Sequence, residues 1–255
     1  MLPPAVDLDK EQSWPSAIIA EVVPLLPSIL RERQATTAFE LSGDRWHNPA
    51  LPTPSTKAAY GIINREMADR RIKIFHATRL LDFDTVRNEG LRPLDLGHQI
   101  NTMRSVLLGA GLFASVSEID ALIAMVNTND DFFRGREGQV WATPVRRLLH
   151  DGGCDVFFDH WGGEAIQRLA TMASRQLEIG IQSLGTPAVV TASIPAFGCC
   201  MFSEWRLVPT MVGLMLERTG MTEKSWEAWD VLVKRAIPAE WIESVLPKEH
   251  VTLVG

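Results

Sequence analysis

The sequence predicts an α+β fold with an N-terminal helical arm, on three observations. Beyond residue 70 the chain carries many short apolar runs bounded by turn-forming residues. The helical patterns between them are few and do not alternate with the strands, as they would in a doubly wound sheet. The first 70 residues, by contrast, are Pro-rich and mixed in pattern. We therefore divide the chain into an arm, residues 1–70, and a body, residues 71–255. At 255 residues, 46% hydrophobic and 22% charged, it has the composition of an ordinary globular protein.

The arm begins with a helical stretch from about Glu11 to Arg33, with a kink expected near Pro24 to Pro27. A linker from Asn48 to Ser55 follows, whose prolines cannot continue a helix. Thr56 to Arg70 then reads as a second helix capped by Ser55. In the body, Lys73 to Thr78 reads as a strand and Asp82 to Asn88 as a short helix closed by Gly90. Ile100 to Leu108 reads as helix, Leu112 to Ser115 as a short strand, and Ser117 to Val126 as a helix capped by Ser117. Further strands are expected at Gln139–Thr143, Asp155–Phe158, Ala188–Ser193, Trp205–Pro209 and Val231–Arg235. A helical turn at Ile237–Ile242 and a terminal strand at Val251–Val254 complete the prediction. A helix from Ala165 to Ala170 follows the Trp161-Gly162-Gly163-Glu164 tetrad.

Charge and composition narrow the functional classes. A net charge of −6 argues against bulk affinity for nucleic acid or an anionic membrane, although Arg134, Arg136, Arg146 and Arg147 leave room for a local basic groove. The run Ile18 to Leu30 is too short, and too broken by Glu21, Pro24 and Pro27, to span a bilayer. No secretory leader is expected from the acidic N-terminal sequence. Cys154, Cys199 and Cys200 lack zinc spacing and cannot all pair, which suits a reducing cytoplasm.

The tetrad and a lone strand histidine, His76, are the features that carry chemistry. Two glycines let the backbone approach a neighbour closely, while Trp161 and Glu164 offer a stacking face and a negative charge. A strand-to-helix turn with a capping Glu is the structural alternative, as is a core role for Trp161. His160 and Glu164 stand four apart, but the glycines between them argue against a helical metal site, so none is assigned. Cys199-Cys200 reads as structure, and Trp226 to Trp241 as packing of a C-terminal layer.

From His76 to Phe113 the chain resembles the first half of an ADP-ribosyltransferase catalytic domain of the diphtheria-toxin and poly(ADP-ribose)-polymerase type. The matching pieces, in order and spacing, are His76-Ala77-Thr78, Glu89-Gly90-Leu91-Arg92 and Gly109-Ala110-Gly111-Leu112-Phe113-Ala114-Ser115. Phe113 stands at that family's tyrosine position and Ala77 at its usual glycine. The segments around Trp141, Trp161-Gly-Gly-Glu-Ala165 and Pro187, over about residues 72–195, are in turn similar to a group of uncharacterised bacterial proteins with the same tetrad.

The resemblance implies a split β-sheet core that cleaves NAD as its substrate. His76 and Thr78 would hold the nicotinamide ribose and amide, with Gly111, Gly162 and Gly163 shaping the site. Phe113 or Trp161 would stack on nicotinamide, and a later glutamate would stabilise the oxocarbenium-like state. Glu164 is the first choice for that carboxylate and Glu204, at the head of an expected strand, its rival. Arg79 would meet an NAD phosphate or pair with Asp82 or Asp84; Arg136 has the same ambiguity, with a solvated loop charge favoured.

On this resemblance the body, 71–255, is a catalytic domain that transfers ADP-ribose to a macromolecular acceptor, protein or nucleic acid, or hydrolyses NAD. A cytoplasmic, toxin-like role in bacterial or phage conflict follows by analogy. No membrane is expected as a partner, and the arm is the expected contact for any partner protein. A non-catalytic module on the same fold, binding a nucleotide or a protein, is the main alternative. An RNA 2′-phosphotransferase, which shares the core and uses NAD, is disfavoured by the acidic net charge.

Overall fold

A computed structural model of the chain describes residues 4–41, 53–150, 152–198, 203–221 and 230–251. The linker residues 48–52, Cys199, Cys200, Trp226, and the expected terminal strand beyond Val251 lie outside that set. The fold is mixed α+β with small antiparallel sheets. Among the described residues no helix is long and apolar enough to cross a membrane.

The elements run in this order. Helices α1 (Ser16–Val22), α2 (Leu26–Leu41) and α3 (Pro54–Met67) come first, then strand β1 (Arg71–Leu80). Four helices follow: α4 (Phe83–Glu89), α5 (Leu96–Gly109), α6 (Val116–Ile123) and α7 (Asp131–Arg136). Strand β2 (Val140–Ala142) leads to α8 (Gly152–Asp159), α9 (Gly163–Ala173) and α10 (Arg175–Gln182). Strand β3 (Thr186–Pro195), helix α11 (Ser203–Arg218), β4 (Val231–Val233) and β5 (Ile242–Pro247) complete the described chain. These elements form two compact units, Met1–Ile72 with Pro195–Trp229, and Lys73–Ile194 with Asp230–Gly255.

The first unit is helical. A 3-10 turn at Val23–Leu25 joins α1 to α2, where Pro24 and Pro27 lead the sequence to expect a kink. Helix α3 packs on α1 and α2, burying Thr56, Ala59, Ile63 and Met67. Their spacing of three and four residues is that of one helical face. Helix α11 packs against α3 and α2 and buries Val208, Met211, Val212 and Met215 with the same periodicity. The sequence predicts a strand over Trp205–Pro209; the segment is helix, and Pro209 is accommodated inside it. Glu204 therefore sits in the first turn of α11 in the first unit, not at the head of a strand.

The second unit holds both sheets. One is ordered β1-β3-β5, and β3 runs antiparallel to β5 with Val190 opposite Val245 and an irregularity between Thr191 and Ala192. Ser193 on β3 donates to the Glu243 carboxylate on β5, which pairs with Lys73 on β1 at 2.6 Å, tying the three strands at one level. The other sheet pairs β2 with β4, Trp141 opposite Leu232. Phe75 on β1 and Thr143 just after β2 exchange backbone hydrogen bonds of 2.8 Å, which brings the two sheets together beside His76.

Helix boundaries follow their caps. Asp82 accepts from the N–H groups of Asp84 and Thr85 to start α4, and Asp95 accepts from His98 N–H to start α5. Ser115, rather than the expected Ser117, caps α6; its Oγ accepts from Glu118 N–H at 3.3 Å, while the Glu118 carboxylate accepts from Ala114 N–H. Gly90 ends α4 with φ 79°, and a Cβ there would lie 2.0 Å from the Ile237 carbonyl oxygen. Glycine is required because the Leu91–Ile237 bridge, two 2.8 Å hydrogen bonds, brings the backbones that close.

Two further predicted strands are corrected. Leu112–Ser115 is a turn leading to the Ser115 cap. Asp155–Phe158 lies in α8, where Cys154 and Phe158, four apart, share a core with Phe75, Leu149 and Val189. A short apolar run reads alike for a buried strand and a buried helical face, and only the packing of Cys154 and Phe158 on one core separates the two here.

Candidate functional site

A cleft of about 580 Å³ opens in the second unit, between the end of β1, the start of α5, strand β2 and the junction of α8 with α9. His76, Ala77 and Thr78 line it from β1, Gly162, Gly163 and Glu164 from the tetrad, and Trp141 and Phe157 supply aromatic walls. Its volume suits a small organic ligand, for which sites span roughly 300–1,000 Å³. His76 and Glu164, far apart in sequence, thus face one space.

His76 is partly buried, and its Nδ1 lies 2.5 Å from the Trp141 carbonyl oxygen. A carbonyl only accepts, so Nδ1 carries the hydrogen. Burial pushes the imidazole pKa below its ordinary 6.5, partly opposed by this same hydrogen bond. The ring is then neutral at pH 7 and its Nε2 is left as a hydrogen-bond acceptor.

Glu164 lies in the first turn of α9, where a carboxylate faces the positive end of the helix dipole. It is not a lone charge. Arg136 donates to it twice, Nε to Oε2 at 2.7 Å and Nη2 to Oε1 at 3.2 Å. The guanidinium itself lies 4.5 Å from the centre of the Trp141 ring and 4.8 Å from that of Phe132. Arg136 is therefore a wall of the cleft rather than the solvated loop charge that sequence favours. Phe132 and Arg136 stand four apart on α7, a spacing that puts ring and guanidinium on one helical face; that was the available signal.

The glycines of the tetrad serve the protein's own packing. Both have left-handed φ, 83° and 70°. A Cβ on Gly162 would lie 2.7 Å from Ile166 Cγ1 and 2.9 Å from Gln99 Nε2, and one on Gly163 would lie 3.2 Å from Phe157. Of these neighbours Gln99 and Phe157 are walls of the cleft, while Ile166 belongs to the core behind it.

No family model, curated protein or solved structure matches this chain.

The geometry of the site sets several sequence candidates apart from the cleft. Phe113 and Trp161 are 5% and 7% exposed and belong to the helical core with Leu107, Ile166, Leu169 and Ile181. Gly111 makes the turn between α5 and α6 with φ 69° and does not line the cleft. Arg79 meets neither the cleft nor Asp82 and Asp84. Its guanidinium donates to the carbonyls of Leu184 at 2.5 Å, Phe158 at 2.9 Å and Gly185 at 3.0 Å, fastening β1 to the ends of α8 and α10. Glu204 belongs to the first unit. Sequence reading missed Phe157, Gln99 and Gln139 as lining residues, and Trp141 as the residue that joins His76 to Arg136.

Proposed function

We propose that the cleft binds NAD and cleaves its nicotinamide–ribose bond, passing ADP-ribose to a macromolecular acceptor or to water. What supports this is the convergence of His76, with a neutral ring and an available Nε2, and the Glu164 carboxylate on one cleft of small-molecule size. As the bond breaks, its electron pair leaves with nicotinamide and positive charge builds on the ribose. A carboxylate held nearby lowers that barrier, and the incoming acceptor loses its proton as it bonds to the ribose carbon. His76 Nε2 would accept from a ribose hydroxyl, Thr78 would meet the amide, and Trp141 or Phe157 would take the wall position that Phe113 and Trp161 do not fill.

The test is nicotinamide release by the purified protein, alone and with cell lysate as a source of acceptors. Glu164→Gln is expected to lower turnover by about 10²-fold or more while folding and NAD binding persist. Release that survives this change would remove Glu164 as the carboxylate of the reaction.

A second reading is favoured by the Arg136 pairing, which leaves Glu164 neutralised, and by the burial of Phe113. In it the cleft binds a nucleotide without chemistry. Calorimetric NAD binding with no release, from folded protein, would select it.

A further inference from the structure

We infer that Arg136 is the positioning residue of this site, fixing the Glu164 carboxylate at the cleft wall, with Trp141 and Phe132 in turn fixing Arg136. The inference rests on the reading of Glu164 as the carboxylate that meets substrate.

A glutamate side chain has three rotatable bonds, and at the first turn of α9 nothing covalent selects its direction. The side-on pairing of Arg136 through Nε and Nη2 constrains both carboxylate oxygens. Each oxygen keeps a further lone-pair site, so the pair still accepts from a ligand hydroxyl. Arg136 is the last residue of α7, lies against Phe132 of its own helix, and carries the Trp141 ring at 4.5 Å. The Trp141 carbonyl is also the acceptor that sets the His76 ring. One residue of β2 therefore orients both groups, His76 through its backbone and Glu164 through the indole-held guanidinium.

The guanidinium lies on the cleft wall, 26% exposed, and its partner is 29% exposed, so the pair is neither a buried structural bridge nor a free surface pair. A lysine would supply the charge but only a point contact, without the planar fork or the stacking.

The deciding experiment measures kcat and KM for nicotinamide release in wild type, Arg136→Lys, Glu164→Gln and the combination, beside equilibrium unfolding. Arg136→Lys is expected to unfold near the wild-type midpoint and to lose kcat on the order of 10²-fold, with KM changed by no more than about threefold. In the Glu164→Gln background it should cost nothing further, because the arginine acts through that carboxylate. Unchanged kcat, a loss confined to KM, or equal losses in both backgrounds would overturn the inference.

If wild type releases no nicotinamide, the functional reading falls separately, and the unfolding cycle decides the pairing. Arg136→Ala and Glu164→Ala together should then shift the unfolding constant by about fivefold less than their separate effects imply. Simple additivity would remove Arg136 as the residue that fixes Glu164.

Discussion

At the scale of single residues, the state of His76 is set by two opposing influences whose balance can be measured. Burial disfavours the imidazolium, and the Trp141 carbonyl, which prefers a donating Nδ1, acts the other way; burial is the larger. The folded pKa lies below 6.5, so between the two values the unfolded chain binds more protons than the native one. The stability owed to a neutral His76 is thus complete above the unfolded pKa and is lost as pH falls through the folded value. In urea unfolding, wild type should weaken more from about pH 7 to about pH 5 than His76→Gln does, and the ring's NMR titration midpoint should fall below 6.5. A midpoint above it would mean that an unseen anion, not burial, controls the ring. Arg79 shows the complementary case. Three residues past the key histidine, its charge was open in sequence to a phosphate or to Asp82 or Asp84, yet three backbone carbonyls occupy it. No sequence signal reports a backbone carbonyl, because every residue carries one.

At the scale of elements, the start of α9 governs the site, since it places Glu164 directly after two left-handed glycines. Gly162→Ala would combine an unfavourable φ with contacts under 3 Å to Ile166 and Gln99, and should destabilise the protein by roughly 1–3 kcal/mol. Gly153→Ala, in α8 with open space around it, should be neutral or stabilising by up to about 1 kcal/mol. Paired urea melts of the two variants check this, and equal effects would mean that packing does not dictate the tetrad. The same elements show what the sequence discloses. Strand β1, helix α4 with its Gly90 stop and helix α9 were legible because a cap, a breaker or an alternating pattern marks them locally. Helix α8 and the head of α11 were not, because Val156-Phe157-Phe158 and the segment before Pro209 are short apolar runs without a local period. Strand β5 also escaped, since Glu243 and Ser244 interrupt its apolar residues. His76, Thr78 and Glu164 line the cleft, while Phe113 and Trp161 lie in the helical core; an aromatic beside a glycine turn suits a core as well as a pocket, so sequence alone does not separate the two.

At the scale of the whole molecule, the decisive feature is that the first unit is discontinuous in sequence. The chain builds α1 to α3, leaves to form the cleft-bearing unit from residue 73, and returns at Pro195 to add α11 before leaving again. Helix α11 buries Val208, Met211, Val212 and Met215 while packing on α2 and α3, so residues 1–70 share a core with it. Removing them would strip the apolar face of α11 of its partners. Several fully buried aliphatic side chains contribute about 1.5–3 kcal/mol each, a loss comparable to the whole stability of an ordinary domain. The fragment 71–255 is therefore expected to aggregate, or to unfold at a markedly lower denaturant concentration than the full chain. Polar substitutions at Val208 and Val212 in the same fragment should restore solubility if exposure of α11 is the cause. Size-exclusion chromatography with urea unfolding of the fragment, its α11 variant and the full chain checks this. A soluble fragment with the full-length midpoint would show instead that the cleft-bearing unit carries its own stability, and that the arm can be removed without disturbing His76, Arg136 and Glu164.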